Sequence, residues 1–254
     1  MKKTVILSVF IISAFFSVAQ SKNVKIIEND STLIIKMENI NFNIHFKYSI
    51  DILEKLGPIF KSTLLKNTDA EYKQLIVKNI KTQLERYPTS ILEFLPTTFY
   101  ITDQIYNSTI KSSTYTGMYL EHTIYLNCIN LSHLKETFHH EIFHNFLAYL
   151  DYDELNINVQ AIQAETKVNI NSLYDTGYVS SYAVTNTGED LAELFTTLMI
   201  NKNSDYPSLT IFNYIAKNPN SILANKVKYL IETLQENFSD DFNYKLFENN
   251  LNIQ

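Results

Sequence analysis

The chain has 254 residues, 45% of them hydrophobic and 19% charged, which is enough to bury a core and too apolar for a disordered protein. Its formal charge is −6, with Arg86 the sole arginine and the lysines scattered, so the basic face that a nucleic-acid partner needs is missing. Cys128 is the only cysteine, which excludes an internal disulfide and any cysteine-rich zinc site.

Met1-Lys2-Lys3, an apolar run from Thr4 to Phe16 and the small residues before Gln20 have the form of a secretory signal peptide over 1–19. Cleavage after Ala19 leaves a chain without a span long and apolar enough to cross a bilayer. No cysteine stands near that point to take a lipid, so the expected location is secreted or periplasmic, not that of a lipoprotein. Val24–Ile27 and Thr32–Met37 form a hairpin about Asn29-Asp30. Helical spacing predicts helices over Asp51–Leu64 and over Ala70–Arg86, the second ending before Pro88. Thr97–Thr102 reads as a strand, and the alternation in Thr116–Asn127 as a strand or hairpin. Leu131–Leu150 is a strong helix, Asp151–Val184 mixed and loop-rich, and Thr187–Ile200 a second strong helix. Thr210–Ala216 and Ser221–Asn237 are helical as well. The sum is an α+β fold, with a small sheet beside a helical body. An N-terminal α+β region over 20–95, which can be part of the same body, precedes a unit over 96–254.

His140-Glu141-Ile142-Phe143-His144 carries the chemistry. At about 100° per residue, two histidines four apart lie only about 40° apart on a helix and can reach one ion, while the intervening glutamate points about 100° away. That suits two neutral nitrogen ligands with a base beside a metal-activated water. Leu131, Leu134, Phe138, Ile142, Phe146 and Tyr149 form the opposite, core-facing stripe. His139 lies off the pair's face, as a surface residue or one behind the ligands. Glu136 is solvated or orients the His140 ring.

Zinc needs a third protein ligand. No histidine follows His144, so that ligand is a carboxylate. Asp151, Asp153 and Glu154 sit where the helix ends, and Glu165 and Asp175 lack a helix to hold them. The better candidates are Glu189 and Glu193, one turn apart and opposite a Leu191, Leu194, Phe195, Leu198 stripe. A second carboxylate four residues on can accept the free N–H of a ligating imidazole. Thr187 is expected to cap this helix, with Asp190 completing a capping-box-like pair.

The segment Gly177–Glu193, where Tyr182-Ala183 precedes Glu189-Asp190-Leu191-Ala192-Glu193, resembles the second signature of secreted bacterial gluzincins. It is similar to the catalytic domain of anthrax lethal factor and the Pro-Pro endopeptidases, and in particular to the zinc-binding metallopeptidases of Bacteroidetes. The likeness covers about residues 116–200. It implies a zincin-like metallopeptidase domain with a small mixed sheet, an active-site helix and a helical C-terminal part. It makes Zn2+ the cofactor, His140, His144 and Glu189 its ligands, Glu141 the general base, and Tyr182 a tyrosine that assists catalysis. Glu193, with Asp190, becomes an acid behind the ligands. A peptide or protein substrate adds to the edge strand within Thr116–Asn127, near Met118 and Leu120. Two departures stand out: Phe143 occupies a motif position that is often small, and the lipoprotein cysteine common among the Bacteroidetes relatives is missing. The expected function is a secreted zinc metalloendopeptidase. The alternatives are a zinc-binding surface protein without turnover and a zinc hydrolase of a non-peptide amide.

Overall fold

The computed structural model describes residues 24–28, 32–46, 60–64, 69–107, 114–128, 131–164, 173–200 and 211–250. The signal-peptide expectation over 1–19 lies outside them.

The described residues start with three antiparallel strands, β1 (Val24–Glu28), β2 (Thr32–Met37) and β3 (Ile40–His45). Leu33, Ile35 and Met37 alternate inward on β2, answered by Phe42 and Ile44 on β3, so period-two patterning buries one face. β4 (Phe60–Leu64) is a strand antiparallel to β5, not the end of the helix expected over Asp51–Leu64; residues 51–59 lie outside the described set. Phe60 and Leu64 suit helical spacing, but five residues are too few for periodicity to decide, and pairing with β5 does.

Helix α1 (Ala70–Leu84) is capped by Asp69, whose carboxylate accepts the Tyr72 N–H at 2.7 Å. The short α2 (Thr89–Leu92) leads into β5 (Thr98–Asn107), the long central strand. β6 (Thr114–Tyr115), β7 (Gly117–Leu120) and β8 (Thr123–Asn127) follow. Strand order is β1-β2-β3-β5-β8-β7, with β5 parallel to both β3 and β8, and β7 antiparallel to β8 on the outer edge. One mixed sheet therefore takes strands from both the 20–95 and the 96–254 regions.

A single 3-10 turn, Leu131–His133, precedes α3 (Leu134–Leu147). Leu134, Phe138, Ile142 and Phe146 are buried as the stripe requires, but Tyr149 lies beyond the helix end and is 55% exposed. α4 (Tyr152–Ala164) is a helix within the stretch expected to be loop-rich. Only Leu155 and Val159 of it are buried, a stripe too thin to stand out in sequence. Asp151 caps it, accepting the N–H groups of Asp153 and Glu154. α5 (Thr187–Ile200), α6 (Ile211–Lys217), α7 (Ile222–Asn237) and α8 (Tyr244–Asn250) complete the α+β fold.

α3 and α5 pack through Phe143 and Phe146 against Phe195, with ring centroids 5.5 and 5.8 Å apart. Phe143 is fully buried there, so it fills the helix interface and leaves the cleft unobstructed. Among the described residues no helix is long and apolar enough to cross a membrane.

Candidate metal centre

The packing of α3 on α5 faces the His140–His144 side of one helix with the Glu189–Glu193 side of the other. Glu189 Oε2 lies 3.0 Å from His140 Nε2 and 3.5 Å from His144 Nε2, and the two imidazole nitrogens are 3.1 Å apart. Zinc bonds of about 2.0–2.1 Å in a tetrahedron require ligand atoms about 3.3–3.4 Å apart, so the three atoms already have the spacing of one tetrahedral face.

Hydrogen bonding points the same way. His140 Nδ1–H donates to Glu193 Oε1 at 3.0 Å, which leaves Nε2 with its lone pair turned toward His144 and Glu189. Glu189 Oε2 is buried and, while the imidazoles are neutral with their lone pairs turned inward, receives no hydrogen bond. Three electron-pair donors thus converge with nothing between them to relieve their repulsion, and a cation does that. In the metal-free protein a proton competes for the place. Burial works against a charged His140, yet the bonds to Glu189 and Glu193 raise its pKa to about 10. Burial likewise opposes a charged Glu189, yet the bonds to His140 and His144 hold its pKa at about 2. His140, His144 and Glu189 can form a metal site.

Glu141 is buried beside edge strand β7 and accepts the backbone N–H of Tyr119. Its pKa is raised by burial and by the charge of Glu189, with His140 and His144 opposing. Gly117 explains how the strand comes so close. A Cβ there would stand 2.4 Å from Thr137 Cγ2 and 2.8 Å from Glu141 Oε1, so no side chain fits. Tyr182, on a 3-10 turn over Tyr182–Val184, brings its ring within 6.0 Å of the His140 ring and is half-exposed. Burial, then the charges of Glu189, Glu141 and Glu193, push its pKa up to about 12, so the hydroxyl keeps its proton.

A cleft of about 420 Å3 opens over these groups. Tyr115, Met118 and Tyr119 form one wall, and Leu147, Ala148 and Tyr152 the other. Leu120 does not line it; it packs with Ile105 and Tyr125 in a separate cluster.

Several side chains fall elsewhere than their sequence positions suggest. His139 is neither on the surface nor at the ligands. It is fully buried, with Nδ1 2.6 Å from the Tyr87 hydroxyl and Nε2 3.1 Å from Gln83 Oε1. Glu136 pairs with His133 and does not orient His140. Asn186, one residue earlier than expected, caps α5 by accepting the Glu189 N–H at 3.0 Å, while the Thr187 hydroxyl donates to Asn156 on α4. Asp190 forms no capping pair and stands away from the histidines; it is buried in an ion pair with Lys226 of α7. Asp175 accepts from the Tyr214 hydroxyl, and Glu165 lies outside the described residues. Sequence reasoning gives no role to Gly117, Ser180 or Lys226. The glycine beside the edge-strand alternation is a usable signal, Ser180 falls within the Gly177–Glu193 likeness, and nothing local marks Lys226.

Residues 120–243 match the model of a family described as "Putative zinc-binding metallo-peptidase". The matched segment is just under half of the chain, and what it shows is a likeness to that family. It contains His140, Glu141, His144, Tyr182, Glu189 and Glu193. The family likeness read from the sequence stands, and zinc is the cofactor it names. The chain is also similar to a crystal structure of a protein described as a putative zinc-binding metallo-peptidase, from Bacteroides caccae. The two share 17% identity over 71% of this chain and 77% of that one, with a TM-score of 0.45. No curated protein matches the chain.

Proposed function

We propose that this protein is an exported zinc metalloendopeptidase in which Glu141 is the general base and Tyr182 the oxyanion donor. The observation that carries the reading is the convergence of His140, His144 and Glu189 on one point, with the Glu141 carboxylate at the same cleft. A zinc ion held there would supply a Lewis acid that polarises a peptide carbonyl and eases removal of a proton from water.

The chain's own groups do the rest. Glu141 takes a proton from the attacking water and delivers it to the leaving nitrogen. Its burial raises its proton affinity, which suits a group that must first accept and then donate. The Tyr182 hydroxyl, protonated throughout the physiological range, donates to the carbonyl oxygen as negative charge develops on it. Glu193 holds His140 in the tautomer with a free Nε2. Glu141 occupies the Tyr119 N–H, so the remaining outward groups of β7 pair with an extended substrate. On that edge, the Thr116 carbonyl is bonded to the Asn127 N–H, which by antiparallel alternation turns the N–H and C=O of Gly117 and the C=O of Tyr119 toward the cleft. The wall residues Tyr115, Met118, Tyr119, Leu147, Ala148 and Tyr152 are uncharged and largely apolar or aromatic, which favours apolar or aromatic side chains beside the cleaved bond. Export rests on the form of residues 1–19.

The test is zinc stoichiometry and peptide-library cleavage, measured together on wild type and Glu141→Gln. The reading expects one zinc in each and cleavage in wild type alone. Equal cleavage by both removes Glu141 from its role. Zinc binding by wild type without peptide cleavage leaves a zinc-binding protein or a hydrolase of another amide.

A further inference from the structure

Tyr182 is held in an unusual way for a group asked to place a hydroxyl over a reacting carbonyl. Among the described residues its phenol has no hydrogen-bond partner, and its ring is half-exposed. Apart from the His140 ring 6.0 Å away, its position is therefore set by the backbone turn that carries it. That turn is closed on its far side by Thr185, whose N–H and hydroxyl both donate to the Tyr182 carbonyl, at 3.1 and 2.7 Å. On the near side, the Ala183 N–H donates to Ser180 Oγ at 3.1 Å. A serine hydroxyl has one proton of its own to give, and here it goes to Glu193. Glu193 in turn accepts from His140 Nδ1 at 3.0 Å.

We propose that Ser180 is a positioning residue that ties Tyr182 to the metal ligands. The chain of bonds runs from the His140 ring through the Glu193 carboxylate and the Ser180 hydroxyl to the amide of Ala183, next to Tyr182. One carboxylate thereby orients both a ligating imidazole and the tyrosine-bearing turn. Occupation of the site sharpens the His140 orientation, and Ser180 passes that order on to the turn. Ser180 touches neither substrate nor metal, and its role rests on the proposed part played by Tyr182.

The test uses the full mature chain as wild type, Ser180→Ala and Ser180→Thr, each with and without Tyr182→Phe. All six should bind one zinc. Ser180→Ala should lower kcat about tenfold with KM changed less than about twofold, and Ser180→Thr, which keeps the hydroxyl, should recover most of the loss. In the Tyr182→Phe background the same serine substitution should change kcat by less than about twofold, because the group it positions is already gone. An independent arm places 3-fluorotyrosine at residue 182 and follows its fluorine resonance as zinc is added. The wild-type resonance should move, the Ser180→Ala resonance should move less than half as far, and Ser180→Thr should behave as wild type. Equal kcat losses with and without Tyr182, a fluorine response unaffected by Ser180→Ala, or a wild-type resonance indifferent to zinc each overturn the proposal. If wild type cleaves no peptide at all, the peptidase reading fails while the fluorine arm still decides the role of Ser180.

Discussion

Helices α3 and α5 each carry two polar residues side by side that end in opposite situations. His139 and Asp190 point to the interior and are paired within the protein, although Asp190 Oδ1 is buried without a hydrogen bond of its own. The His139 ring sits between Tyr87 and Gln83, and Asp190 sits on Lys226, which also donates to the Gly177 carbonyl at 2.8 Å. Their neighbours His140 and Glu189 point to the cleft and meet only other acceptors. About 100° of helical rotation separates each pair. The lesson is that a closed polar network contributes to holding the fold, whereas a set of converging acceptors is held open by the fold around it, ready for a cation.

That contrast can be broken from the cleft side with the largest effects. His144→Ala should abolish both zinc binding and turnover, while Glu141→Gln should keep zinc and lower kcat by about 10²–10⁴, read by metal analysis and steady-state kinetics. The interior side answers in stability. Lys226→Met leaves the Asp190 carboxylate buried without its counter-charge and should cost about 3–5 kcal/mol in urea unfolding, most of which Lys226→Met with Asp190→Leu should restore. Tyr182→Phe should lower kcat by about a hundredfold, toward the weak end for an oxyanion donor because the ring is half-exposed, with zinc content and melting temperature unchanged. His139→Leu strands the Tyr87 and Gln83 groups in the core and should cost about 1–3 kcal/mol while leaving zinc stoichiometry intact.

The smallest effect is one of pH, and it separates the two sides without a mutation. In the metal-free protein His140 has a folded pKa of about 10, above its ordinary 6.5, so its contribution is full below pH 6.5 and is lost as pH rises through about 10. Glu189 has a folded pKa of about 2, below its ordinary 4.5, so its contribution is full above pH 4.5 and is lost as pH falls through about 2. The cleft cluster therefore favours the metal-free fold most between those two ordinary values. Zinc must displace the His140 proton, so the rise in melting temperature on adding zinc should grow from pH 6 to pH 9. A zinc increment that shrinks over that range would contradict the ligand set.

The α+β class, the first hairpin, the helix Ala70–Leu84 and the two site helices were legible because each has a period or a cap contained in its own residues. β4, β3 and α4 were not. β4 is too short for its period to speak, β3 follows β2 through a tight turn at Glu38 with φ 54°, and α4 buries only two side chains. At the site, the pairing of His140 with His144 is local geometry and could be read directly. The place of Asp190 could not, since a carboxylate on an amphipathic helix looks the same in sequence whether it caps, ligates or meets a lysine 36 residues away.

The amino-acid sequence alone determined that two imidazoles share a helix face with a glutamate between them, because 3.6 residues per turn is a property of the backbone and not of its surroundings. Only the tertiary structure decided which carboxylates meet those imidazoles, which histidine stays buried and neutral, and where the edge strand passes. Those depend on how α3, α5 and β7 pack, through Phe143, Phe195 and the bare backbone of Gly117, and packing is a property of surfaces brought together from distant parts of the chain.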